Sequence, residues 1–178
     1  MFVRNLLIAI FTLGHANLLL ASVPSIDSIY TDLSSGRCKT IEFDQETGYF
    51  VRRCAGVADY SLLVNESDAR QSVTVITPNG KQHPLNYPSV ITAAFSAVGE
   101  KAEWRVERKG GKILPIALIV RVNANENPDS PYEETSYLAV AKIAPGKICV
   151  TQKLKGGAPA NEEARRAADA SSNKPCLK

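Results

Sequence analysis

Beyond residue 23, apolar and polar residues alternate in short runs, most with the period of two that belongs to strands. The clearest pattern lies between Cys38 and Cys54. There Lys39-Thr40-Ile41-Glu42-Phe43 folds back on Tyr49-Phe50-Val51-Arg52-Arg53 around Asp44-Gln45-Glu46-Thr47-Gly48. The register pairs Phe43 with Tyr49, Ile41 with Val51 and Lys39 with Arg53, and sets Cys38 opposite Cys54 within disulfide reach. It also predicts Ile41, Phe43, Tyr49 and Val51 together on a face that packs on a core, with the cysteines on the other face.

Residues 59–64 read as a buried strand, 65–70 as a polar connection and 72–77 as a β-branched strand ended by Pro78-Asn79-Gly80. Pro84 and Pro88 break up residues 81–99, where 89–98 fits a strand or a short helix equally well. Alternation resumes at Ala102-Glu103-Trp104-Arg105-Val106-Glu107-Arg108, with Trp104 and Val106 on one face and charges on the other. Lys109-Gly110-Gly111-Lys112 makes a tight turn into 113–122, the most apolar segment after the leader and therefore a central strand, with Pro115 at its start or in a bulge. The expected core comprises Trp104, Ile113, Ile116, Leu118 and Val120. A loop at 123–134 precedes a last hairpin, 137–143 with 148–152, around Pro145-Gly146. The tail changes period: Ala160, Ala164, Ala167 and Ala168 recur at helical spacing, with Asn161 as the expected cap and Glu162 and Glu163 in the first turn. An alanine stripe buries little surface, so this helix, about 161–170, needs the Cys149–Cys176 link to stay docked.

The first 22 residues stand apart as a secretory leader: Arg4 supplies the positive start and residues 6–13 the apolar centre. Cleavage after Ala16 would leave Leu18-Leu19-Leu20 behind; cleavage near Ala21 or Ser22 removes that run and is preferred. An uncleaved anchor over residues 5–23 is the alternative, against which Gly14-His15-Ala16-Asn17 interrupts the run. No integral membrane association is expected after cleavage. About 155 residues then form one β-rich domain, 23–178. Losing Arg4 leaves 20 basic against 18 acidic side chains, a balance that gives no reason to expect nucleic acid as partner. The cluster Arg105, Arg108, Lys109 and Lys112 reads as a solvated hairpin tip. Four cysteines allow three pairings, and the hairpin register selects Cys38–Cys54, which leaves Cys149–Cys176. Their spacing lacks the close pairs that zinc requires, so no metal or other cofactor is expected.

Catalytic side chains are sparse. Beyond the leader the one histidine is His83, flanked by Gln82 and Pro84 as an exposed loop residue would be. Asp32, Asp59, Asp68 and Glu103 are the candidate carboxylates for hydrolysis, and no spacing singles out two of them. No catalytic residue is therefore named. Asp68 and Arg70, two apart beside a strand, are candidate binding residues, as is Tyr132 in the long loop; among the tyrosines Tyr132 is the foremost contact residue.

Several short pieces resemble an uncharacterised family of exported proteobacterial proteins, commonest in the rhizobial group. They are Tyr30-Thr31-Asp32-Leu33, Cys54-Ala55-Gly56, Asp68-Ala69-Arg70, Glu103-Trp104-Arg105 and residues 114–121, then Cys149-Val150, Ala160-Asn161, Ala164-Arg165, Ala168-Asp169 and Cys176. Lys174 stands where the family often has an aromatic residue. The resemblance implies export, one domain and the cysteine pattern, and no activity. The fold expected from the residues is all-β, a small antiparallel sandwich or barrel of about eight strands, with one C-terminal helix. The expected function is a periplasmic or secreted, non-catalytic binding or inhibitor-like module for a periplasmic or extracellular protein. A carboxylate-dependent periplasmic hydrolase and an envelope accessory protein are the alternatives.

Overall fold

The computed structural model describes residues 25–130 and 133–178. The leader at 1–22 and Tyr132 lie outside the described residues. Among these, the strands are β1 Ser25–Asp32, β2 Lys39–Phe43, β3 Phe50–Ala55, β4 Ser61–Ser67, β5 Arg70–Ile76, β6 Gln82–Pro84, β7 Phe95–Lys109, β8 Lys112–Asn125, β9 Thr135–Ala144 and β10 Lys147–Lys155. Two helices, α1 Tyr87–Val90 and α2 Ala160–Asp169, complete the elements among the described residues. The all-β expectation with one C-terminal helix holds. The strands number ten rather than about eight, and they form one open sheet, not a closed barrel.

The sheet runs β10-β9-β8-β7-β5-β4-β3-β2, with β1 beside β7 and β6 beside β5. Every pairing is antiparallel except a single parallel bridge, Arg70 with Ser96, between β5 and β7. That bridge joins two halves which share one core: Leu62, Val64, Val73 and Val75 of β4 and β5 pack with Trp104, Leu118, Val120 and Val122 of β7 and β8. Gly56 sits where the halves approach, and a Cβ there would lie 2.5 Å from the Tyr60 carbonyl oxygen and 2.9 Å from the Trp104 ring. The ring of Tyr60 meets Trp104 edge-on at 6.0 Å.

β8 is buried on both faces, which explains its unbroken apolar run. Leu118 and Val120 enter the shared core, while Ala117 and Ile119 lie under α2 with Leu138 and Val140. The register shifts between Arg105–Ala117 and Val106–Pro115, so Pro115 does flank a bulge. Ile113 and Ile116 are only partly buried, unlike the other expected core residues. Residues 81–99 resolve into the short β6, one turn of helix and the start of β7.

Both expected disulfides, Cys38–Cys54 and Cys149–Cys176, are formed. The first hairpin nevertheless departs from its expected register and facing. Lys39 does lie opposite Arg53, but a bulge at Ile41 sets Glu42 against Val51 and Phe43 against Phe50. Ile41 and Phe43 are 44% and 66% exposed. The facing is set by β4, because Leu62 pairs with Cys54 and carries the disulfide into the shared core. Val51 and Tyr49 instead join a small outer cluster with Leu63 and Ile76.

In α2, Ala160, Ala164 and Ala168 are buried on the sheet, with Ala167 beside them. Pro159 occupies the cap position expected for Asn161, whose side-chain oxygen accepts from Arg121 Nη2 at 3.2 Å. Of the cluster read as a solvated hairpin tip, Arg108, Lys109 and Lys112 are exposed, but Arg105 is not: it and Glu103 are each only 9% exposed, covered by α2. The tail then returns to β10, where the Leu177 amide donates to the Val150 carbonyl at 2.8 Å. The Lys142 ammonium donates to the carbonyls of Ser172 and Lys174, at 3.3 and 2.7 Å. No helix among the described residues is long and apolar enough to cross a membrane, and two disulfides mark an oxidising compartment.

Candidate functional site

The β4–β5 turn, the start of β7 and the loop after β8 meet at one end of the strands. Ser67 pairs with Arg70, which leaves Asp68 and Ala69 as the two turn residues. Both hold left-handed backbone, at φ 51° and 53°, as a two-residue hairpin turn requires. Neither is glycine, so the tight turn is kept at a conformational cost.

Arg70 is fastened on several sides. Its Nη1 forms an ion pair with the Asp68 carboxylate and donates to the Asp68 carbonyl at 2.9 Å, and its Nε donates to the Ala93 carbonyl at 2.8 Å. Its guanidinium carbon stands 4.8 Å from the centre of the Phe95 ring. The two sequence-derived candidates therefore do form a pair, and the Arg70 guanidinium lies over the Phe95 ring. That ring is 53% exposed. Ser96, the next residue, is 8% exposed, and its hydroxyl has no hydrogen-bond partner among the described residues.

Phe95 borders two hollows. One, of about 330 Å³, is lined by Arg70, Ala94, Asn125, Asn127 and Pro128 and is mainly apolar. The other, of about 220 Å³, is lined by Glu66, Ala69, Ser96, Asn123 and Glu134. Tyr132 lies outside the described residues; Pro128 and Glu134, on either side of it in sequence, line one hollow each.

The base of the loop is fixed by Glu126, whose carboxylate accepts from the Tyr137 hydroxyl at 2.7 Å and the Thr92 hydroxyl at 2.9 Å. The Tyr137 bond, more than any other contact, holds the Glu126 carboxyl below its usual range, while Glu126 pushes the phenol up to about 12. Phe95 itself escaped notice in the sequence, because it falls in the stretch that fits strand or helix. A period-two reading started at Ala102 and extended back across the Gly99 irregularity would have placed it on β7.

Three of the four candidate carboxylates for hydrolysis are committed to separate cations, Asp32 and Glu103 being diagonal neighbours across β1 and β7. Asp32 is bound to Lys101 at 2.6 Å, Glu103 to Arg165 at 2.6 Å and Asp68 to Arg70, while Asp59 sits in the β3–β4 connection at φ 65°. No group of three or more potential metal ligands is clustered among the described residues. Comparison with protein-family models, curated proteins and solved structures finds no match to this chain.

Proposed function

We propose that the protein is an exported, non-catalytic binding module of inhibitor type, and that it contacts a periplasmic or extracellular protein through the Phe95 end. The observation that carries this reading is the Phe95 ring, half exposed yet stacked by an arginine that is itself fastened by Asp68 and Ala93. An aromatic anchor immobilised before contact loses little entropy on binding, which is the property of interface residues that dominate affinity. The adjacent apolar hollow offers a partner one pocket. Two disulfides and the leader-like first residues support export, in keeping with the resemblance to exported rhizobial-type proteins. Nothing in the charge balance favours nucleic acid.

Affinity capture from periplasmic extract, with lysozymes included among the candidates, tests the reading by comparison of the parent with Phe95→Ala. A specific partner should be retained by the parent and lose at least about tenfold in affinity to the variant. Equal retention by both proteins would overturn the placement of the surface. The hydrolase alternative finds no support in the positions of Asp32, Asp59, Asp68 and Glu103.

A further inference from the structure

At the opposite end of the strands the two halves part around a cleft of about 590 Å³. Its walls differ in chemistry. β8, β9, β10 and the β9–β10 turn contribute Pro115, Ile143, Pro145 and Ile148, an apolar wall. The other half contributes Tyr60, Thr77, Lys81 and His83, a polar wall with two nitrogen bases and, across the whole lining, no carboxylate.

The polar wall is built to face inward. His83 pairs with Val75 across β5 and β6, and directly opposed residues share a face, so the imidazole lies on the side of the core residue Val75. Tyr60 is set by its edge contact with Trp104 and by the close approach that Gly56 permits. Thr77 is occupied with Asn79 and the Lys81 carbonyl, but the Lys81 ammonium, the His83 ring and the Tyr60 hydroxyl make no hydrogen bond among the described residues.

We propose that this cleft is a ligand site for a small amphiphilic carboxylate, its apolar part against Pro115, Ile143 and Ile148 and its carboxylate held by Lys81 and His83. The volume lies within the range of small-molecule sites, and the lining sets an apolar wall against a polar one of nearly equal area, as an amphiphilic ligand requires. The sign of the ligand follows from the lining, which offers donors and cationic charge and no acid to neutralise them. Burial first, then the charge of Lys81, holds the His83 pKa below its ordinary value; an anion bound between the two would reverse that second effect.

The test is an NMR titration of the whole mature chain with octanoate, octanol and octylammonium. Octanoate should bind saturably, with shifts centred on His83, Ile143 and Ile148, and at least roughly tenfold more tightly than octanol or octylammonium. The double variant Lys81→Gln/His83→Gln should lose about tenfold in octanoate affinity and leave octanol unchanged. Lys81 is exposed and His83 sits on a short edge strand, so the fold is expected to survive, which the unshifted core resonances of Trp104 and Leu118 would verify. Octanol binding as tightly as octanoate, shifts centred elsewhere, or an unaffected double variant would each overturn the proposal. Phe95→Ala should leave octanoate binding unchanged, which separates this site from the protein-binding end.

Discussion

Arg105 donates from Nε and Nη2 to both carboxylate oxygens of Asp169, at 2.7 and 2.8 Å, and so ties β7 to the last residue of α2. One step along, Arg165 Nε donates to Glu103 at 2.6 Å. The spacing accounts for the match. Residues two apart on a strand are separated by about 6.6 Å and residues four apart on a helix by about 6 Å, so opposite charges placed at those intervals meet in register. Ser28 and Tyr30 of β1 complete the group by bonding to Glu103, Arg105 and Arg165.

Removing one partner leaves a nearly buried cation without its counterion. Asp169→Ala should therefore cost about 2–3 kcal/mol in urea unfolding. Arg165→Ala should cost a similar amount, because it leaves the nearly buried Glu103 carboxylate without its closest cation. A negligible shift in midpoint for Asp169→Ala would show that the alanine contacts alone hold α2.

The ion pairs on α2 predict a narrower role for the C-terminal disulfide than the alanine pattern alone does. With two ion pairs and three buried alanines on α2, Cys176→Ser should free residues 171–178 while residues 160–169 keep most of their hydrogen-exchange protection. Loss of protection across the helix as well would return the disulfide to the central role.

Trp104 is fully buried between the halves, and Trp104→Ala should cost about 3–5 kcal/mol. Gly56→Ala should also destabilise, by about 1–3 kcal/mol, because its methyl group meets the Tyr60 backbone. Denaturant midpoints read both changes, and a neutral Gly56→Ala would contradict the close approach.

The Glu126–Tyr137 contact gives a pH signature. The folded state holds the Tyr137 proton more tightly than the unfolded chain, so the contact's stabilisation is complete below about pH 10 and is lost as pH rises through about 12. On the acid side Glu126 keeps its charge below the usual glutamate range; its stabilisation holds above that range and is lost as pH falls through the lowered pKa. In Glu126→Gln the tyrosinate absorbance of Tyr137 should appear at lower pH than in the parent; an unmoved titration would exclude the contact as its cause.

Elements with period-two alternation, the two disulfides and the helical tail were legible in the sequence because each is a local pattern. Facing was not. The hairpin's own alternation could not tell that β4 would draw Cys54, rather than Val51, into the shared core. Glu103 and Arg105 looked solvated because their covering helix lies some 60 residues away, at Arg165 and Asp169. Asp68 and Arg70 were found as a pair by proximity alone. Phe95, whose ring lies under the Arg70 guanidinium, depends on the Arg70–Ser96 bridge between distant strands.

The most direct test of the binding reading is site-specific photocrosslinking in the native cell envelope. A photoreactive phenylalanine analogue is placed at Phe95 and, in a second protein, at the more exposed Phe43. The expected result is a discrete protein adduct from position 95, abolished in the same protein by Arg70→Ala, and none from position 43. An adduct from Phe43 alone would contradict the account and move the contact surface to the first hairpin.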